Sequence, residues 1–295
     1  MTPKEFNALK EMLKATSGFV LTDDKQYLLE SRLAPLAKKC KYETVADLVK
    51  DWGRTKDAKL QNQMIEAMTI NESFFFRDKT PFDNFENHIL PQLLETRKNQ
   101  KKIRIWSAAA SSGQEAYSLA MILKEHANKL QGWSIDIIGT DLCSEALEKA
   151  KAGLYSQFEV QRGMPIQYLV KNFKQVGSMW QLNSDVRSMV QYRQFNLMNS
   201  FTLLGRFDVI FIRNVLIYFD KETKMDILSR MEKQTNTDCF LVLGASETLV
   251  NLNHNFKTVP DVRGLYKIDQ SSTKPAQKPA LGQINTAALG SQKTA

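Results

Sequence analysis

From about residue 100 onward, short apolar runs alternate with amphipathic stretches of helical period. That rhythm predicts strands joined by crossover helices in a parallel sheet. The predicted strands are Ile103–Ala108, Ile135–Thr140, Val190–Phe195, Phe207–Ile212 and Cys239–Leu243, with Gly264–Ile268 closing the sheet as a last strand. The predicted helices are Gln114–Leu130, Ser144–Ala152 and Lys221–Gln234. Val209 to Ile212 is wholly apolar, the mark of a strand buried on both faces. It delivers Arg213 and Asn214 to its C-terminal edge, and Tyr218 follows one short turn later. Ligands of open α/β sheets bind outside the strand carboxyl ends. A cation, an amide and a phenol carried there outline a candidate active site.

Residues 1 to about 70 read as helical. Thr22-Asp-Asp starts a helix well, with a capping hydroxyl and acids near the positive helix end. Lys25, Arg32 and Lys39 are spaced seven apart, nearly on one helical face, and Pro35 predicts a kink. That face is either a solvated surface or a docking surface for an acidic helix. Between Gly153 and Val190 the rhythm breaks, and Phe173 to Leu182, turning at Val176-Gly-Ser, reads as a small antiparallel hairpin inserted in the larger domain. From about Ser271 there is almost no apolar bulk, so a disordered tail is expected. The expected domains are 1–75 (helical), 76–270 (sheet, with the insertion at about 155–195) and 271–295 (tail). Asn71-Glu-Ser-Phe-Phe-Phe-Arg-Asp78 joins the first two. One amphipathic helix cannot bury three successive phenylalanines, so the segment is expected between two bodies, with Arg77 near a domain seam. The alternative is a structural salt bridge between Arg77 and Asp78.

Composition narrows the classes. The 295 residues, 43% hydrophobic and 24% charged, fit an ordinary soluble globular chain of one large and one smaller domain. No apolar run approaches the roughly 18 residues of a membrane span, and the N-terminus shows no signal segment. Cys40, Cys143 and Cys239 lack paired spacing, so neither a disulfide framework nor a zinc site is expected, and a reducing cytoplasm is the natural compartment. A net charge of +8 favours acidic partners. Without zinc spacing or an aromatic-basic RNA signature, nothing specifies nucleic acid.

Ile103-Arg-Ile-Trp-Ser-Ala-Ala-Ala-Ser-Ser-Gly-Gln-Glu115 is a strand, a loop of small residues and a helix start. Small side chains from Ser107 to Gly113 are expected to admit a ligand close to the backbone. This is not the G-x-G-x-x-G dinucleotide signature. Glu115 suits a ligand's ammonium group or the helix dipole. Asp141 ends the next strand, where an acid hydrogen-bonds ribose hydroxyls or else caps the following helix. Loop and acid together favour a nucleoside.

Taken together, these segments closely resemble the CheR-type chemotaxis receptor methyltransferases over roughly residues 5 to 268. The matching pieces are Asn71–Asp78, Trp106–Met121, Gly139–Tyr155, Asn196-Leu197, Phe207–Asp220 and Gly264–Ile268; Phe-Phe-Arg-Asp and Arg-Asn-Val-Leu-Ile-Tyr-Phe are the most specific. The resemblance implies an α/β, Rossmann-like methyltransferase sheet domain, a helical N-terminal domain and a small inserted antiparallel β-subdomain. It implies methyl transfer from S-adenosylmethionine to glutamate side chains of methyl-accepting chemotaxis receptors in the cytoplasm, with S-adenosylhomocysteine as product. A monomer is the default, and no metal, nucleic acid or membrane insertion is expected. Position by position, the resemblance implies cofactor contacts at Asn71, Ser73, Arg77, Glu115, Asp141, Asn196, Leu197, Arg213 and Asn214. It places Arg77 and Tyr218 at the methyl-transfer centre. Ser73 stands where Thr is frequent, and Gln114 where an acid is common. The Val176-Gly-Ser turn lacks the longer Gly-Pro turn of members that tether to a receptor's C-terminal peptide, so tethering is not expected.

A glutamate carboxylate, with a pKa of about 4.3, is already anionic at neutral pH. The implied displacement therefore needs alignment and no catalytic base, and His88, His126 and His254 need no role. Arg77 and Tyr218 are suited to orient the carboxylate. On the same reading, Lys25, Arg32 and Lys39 guide a helical receptor segment. Two other readings remain: a non-catalytic module that binds the cofactor, and a nucleic-acid methyltransferase favoured only by the basic charge.

Overall fold

The computed structural model describes residues 1–269, and the expected tail from Ser271 lies outside the described residues. Four helices begin the chain: α1 (Pro3–Ser17), α2 (Gln26–Lys39), α3 (Val45–Thr55) and α4 (Ala58–Met68). Capping boxes start two of them, Thr2 with Glu5 for α1 and Thr44 with Asp47 for α3. Leu9 and Leu13, Leu29 and Leu33, Leu48 and Trp52, and Leu60 and Met64 recur at helical spacing and close a separate apolar core. The helix expected from Thr22 opens with a 3-10 turn, Asp23–Lys25, so Lys25 precedes α2 proper. Lys25 and Lys39 are exposed, whereas Arg32 is half-buried and donates from Nη1 to the Met68 carbonyl at 2.7 Å. The helix continues through Pro35. α1 ends at Gly18, whose φ of 74° is left-handed; a Cβ there would come within 2.8 Å of Met198 Sδ. Glycine at that cap lets the sheet domain approach closely.

After Asn71–Asp78 the chain forms α5 (Thr80–Asn84), a π-turn at Phe85–Ile89 and α6 (Leu90–Thr96). The alternating region follows as β1 (Lys102–Ala108), α7 (Gln114–Glu125), β2 (Ser134–Asp141) and α8 (Ser144–Ala152). The inserted region comprises β3 (Leu154–Ser156), α9 (Gln157–Gln161), α10 (Ile166–Asn172), β4 (Phe173–Val176), β5 (Met179–Leu182) and α11 (Ser184–Arg187). Then come β6 (Val190–Gln194), β7 (Phe207–Ile212), α12 (Lys221–Glu232), β8 (Thr235–Leu243), β9 (Phe256–Thr258) and β10 (Leu265–Ile268).

Among the described residues the main sheet has seven strands in the order β6-β2-β1-β7-β8-β10-β9. β6, β2, β1, β7 and β8 are parallel, and β10 enters antiparallel between β8 and β9. The sheet is thus mixed, and Gly264–Ile268 does not close it: the short strand β9 forms the edge. The expected hairpin is β4–β5, joined by β3 into a three-stranded antiparallel sheet. Every residue of β7 is buried, Asp208 included. That carboxylate accepts from Arg97 Nε (3.0 Å), the Arg104 amide (2.8 Å) and Asn236 Nδ2 (2.7 Å), so its burial leaves no unmet charge.

Within the phenylalanine run, Phe74 lines a cavity shared with the helical domain, whereas Phe75 and Phe76 turn away from that domain. Phe75 packs edge-on against Tyr155 and Phe173 of the inserted region, and Phe76 against Phe82 and Tyr168. Both belong to the core shared by sheet and insertion, since the four N-terminal helices already close their own.

Candidate active site

β1 lies between β2 and β7, so their C-terminal tips sit side by side. A cavity of about 1050 Å³, its open mouth included, covers these tips. Asn71, Ser73, Arg77, Glu115, Asp141, Asn196, Leu197, Arg213, Asn214 and Tyr218 all line it. Ser17, Phe19, Ile65 and Met68 of the helical domain complete the wall.

Asp141 ends β2 with its carboxylate buried, accepting the amides of Ser111 (2.8 Å) and Cys143 (2.9 Å). Burial pushes its pKa up, and these amides partly offset the effect. Cys143, not Asp141, is the N-cap of α8, and no side chain caps from that position. Instead Glu66 of α4 reaches across to the Ser144 amide (3.2 Å) and hydroxyl (2.8 Å). The capping alternative for Asp141 therefore fails, and its remaining lone pairs are available to hydroxyl donors.

Arg213, 5% exposed, is the hub of the floor. Nη1 donates to Glu115 Oε2 (2.8 Å), and Nη2 donates to Asp78 Oδ2 (2.9 Å) and the Arg77 carbonyl (2.7 Å). Glu115 Oε1 accepts from Ser107 Oγ at 2.7 Å. Asp78 pairs with Arg213, not with Arg77, whose Nη1 donates to the Glu72 carbonyl at 2.8 Å. The trio of two carboxylates and one guanidinium carries one net negative charge, which suits a cationic group on a ligand. Among the described residues, Arg213 Nε is a buried donor with no partner.

The Arg77 guanidinium lies over Phe74 at 5.3 Å, and Arg162 lies over the same ring at 4.3 Å. Tyr218 stacks on Phe19 at 5.8 Å, and its carbonyl accepts the Val20 amide at 3.0 Å, so the helical domain fixes this residue. Burial raises the phenol's pKa against the opposing pull of Arg32 and Arg77, keeping it a protonated donor at neutral pH.

Two lining residues also hold the domains together. Asn196 Nδ2 donates to the Thr16 carbonyl (2.7 Å), and the Asn71 carbonyl accepts from Ser111 Oγ (2.8 Å). The Leu197 carbonyl accepts from Arg230 at 2.7 Å. In the small-residue loop, Ala109 and Ser111 adopt left-handed φ angles and line the cavity. Gly113 serves packing instead, because a Cβ there would meet Tyr192 Oη at 2.6 Å and Ala150 Cβ at 2.9 Å. The Tyr155 and Tyr192 hydroxyls support this loop through the carbonyls of Ser112 (2.8 Å) and Gly113 (3.2 Å). Neither tyrosine stood out in the sequence, because both contacts join segments distant along the chain. No histidine is among the lining residues, and no His, Cys, Asp or Glu cluster among the described residues could hold a metal ion. No helix among them is long and apolar enough to cross a membrane.

Residues 71–264 match the family described as "CheR methyltransferase, SAM binding domain", and residues 4–69 match its all-alpha domain. The chain belongs to the CheR methyltransferase family. It is 38% identical over 262 residues to the chemotaxis protein methyltransferase of Vibrio parahaemolyticus, covering 88% of this chain and 94% of that protein. It is 39% identical over 264 residues to chemotaxis protein methyltransferase 1 of Vibrio cholerae, with the same coverage. It is 39% identical over 259 residues to chemotaxis protein methyltransferase 1 of Pseudomonas aeruginosa, covering 86% and 94%. This CheR-family chain is thus an S-adenosylmethionine-dependent methyltransferase of chemotaxis. The cavity's lining suits that cofactor, since carboxylates and amides converge there from the neighbouring strand tips.

Proposed function

We propose that this CheR-family enzyme methylates specific glutamate side chains in the cytoplasmic segments of bacterial chemoreceptors, forming glutamyl methyl esters. The observation that carries this reading is that a cation, Arg77, and a protonated phenol, Tyr218, line the same cavity as Asp141 and Glu115. Asp141 would receive the ribose hydroxyls and Glu115 the ammonium group, with Asn71, Ser73, Asn196, Leu197 and Asn214 enclosing the nucleoside and Arg213 fixing Glu115. When bound, S-adenosylmethionine supplies an electrophilic methyl on a positively charged sulfur.

The chain's own residues then have one task, which is alignment. A glutamate of pKa about 4.3 arrives ionised, so no group need take a proton. Arg77 and Tyr218 orient its carboxylate by charge-assisted and phenolic hydrogen bonds. Well-oriented reactants gain roughly 7 to 11 kcal/mol over free encounter. The grip must stay moderate, because bonds that favour the ground-state anion over the less charged transition state slow the attack.

The test incubates the protein with methyl-labelled S-adenosylmethionine and receptor cytoplasmic fragments. Label should transfer to the fragments and be released by mild alkali, as a carboxyl methyl ester is. Alkali-stable label, or transfer to nucleic acid instead, would overturn the assignment.

A further inference from the structure

The strand tips that carry Arg213 and Leu243 are neighbours, with Ile212 paired in register with Leu243. Beyond β8 the chain turns through Gly244 to Glu247, whose amide donates back to the Gly244 carbonyl at 3.0 Å. The Glu247 carboxylate crosses to the other tip. Oε2 accepts the amides of Asn214 (2.7 Å) and Gly244 (2.9 Å); Oε1 accepts those of Val215 (3.0 Å) and Leu216 (2.9 Å). Four converging amides form a concavity suited to an anion, and here the chain fills it with its own side chain. Asn214 is held at a left-handed φ of 57°, and Val215 and Leu216 lead into the 3-10 turn Leu216–Tyr218. Glu247 itself does not line the cavity, whereas Asn214 and Tyr218 do.

We propose that Glu247 is a positioning residue: its carboxylate sets the conformation of Asn214–Leu216 and so presents Asn214 and the Tyr218 phenol to the reacting groups. The inference rests on the cofactor and substrate roles given above to Asn214 and Tyr218. Gly244 belongs to the same device, because a Cβ there would lie 2.7 Å from Glu247 Oε2 and 3.0 Å from Asn214 Nδ2. Glutamine at 247 keeps the length but turns an NH2 group toward two of the four amides, donor against donor.

The full-length Glu247→Gln variant is compared with its parent by amide hydrogen exchange, by calorimetric titration with S-adenosylhomocysteine, and by steady-state methylation of receptor fragments. Exchange should rise across residues 213–219 and 244–247 while the rest of the chain keeps its protection. The product's Kd should weaken about tenfold, the effect of losing roughly one well-placed hydrogen bond. kcat should fall up to about 100-fold, the effect of misplacing a reacting group by an ångström, with KM for the fragment nearly constant. Faster loop exchange with Kd and kcat both within about twofold of the parent would overturn the proposal, as would unchanged exchange. If the glutamine variant loses protection everywhere, Gly244→Ala decides in its place, since it crowds the same carboxylate from the other strand; an unaltered kcat and Kd there would also overturn it. Asn214→Ala and Tyr218→Phe are run alongside. If both impair the enzyme while Glu247→Gln does not, the inference fails and the roles of those two residues stand. If both are silent, those roles fail and the inference fails with them.

Discussion

A guanidinium 5% exposed and bound to two carboxylates and a carbonyl is held by its shape as much as by its charge. Removing it strands Asp78 and Glu115 against one another. Arg213→Met should therefore cost about 3 kcal/mol in urea unfolding, the lower end for breaking a buried pair, because the Asp78 side chain is 30% exposed. Arg213→Lys should recover little, since one ammonium cannot reproduce the fork. Part of this was legible in the sequence: an apolar strand run ending in Arg-Asn announces a site at a sheet edge. Its partner Asp78 was not legible, because 135 residues separate the two and only the fold brings them together. Glu247 escaped for the same reason, lying in a turn with no periodicity and acting wholly through backbone amides.

Among the elements, α12 shows how one residue serves two purposes. Asp220 is its N-cap, accepting the Thr223 amide at 2.9 Å, and it also pairs with Lys14 of α1 at 2.7 Å. The Lys14 bond, followed by those from Thr223, lowers the Asp220 pKa to about 2. A carboxyl depressed in the folded state adds stability above its unfolded pKa of about 3.9, and that stability drains as pH falls toward about 2. Asp220→Asn should flatten the acid limb of thermal melting between those values while sparing the cap. Asp220→Ala should in addition lose about 1 kcal/mol at neutral pH through the cap. Elements with a strong apolar period were readable to the residue, as with Phe207–Ile212 and Ser144–Ala152. β8 begins four residues before its apolar part because its first half, Thr-Asn-Thr-Asp, is polar. α7 stops short of Leu130, as the chain leaves the helix at His126. The last strand, expected at Gly264–Ile268, is β10, but β9 was not foreseen, because three residues at an antiparallel sheet edge leave no periodic mark.

For the molecule as a whole, we propose that the exposed Lys25 and Lys39 of the helical side steer an acidic partner toward the cavity. The double variant Lys25→Glu, Lys39→Glu should raise KM for receptor fragments at low ionic strength, and the difference should shrink at high salt. Arg32 is left intact, because it holds the Met68 carbonyl beside the cavity and its loss would confuse docking with folding. Equal KM values at low salt would refute steering by this face. The contacts of Phe19 and Val20 with Tyr218 also make this one phenol answerable to both halves of the molecule, so a substitution that shifts one half against the other takes away its support without touching the tyrosine itself.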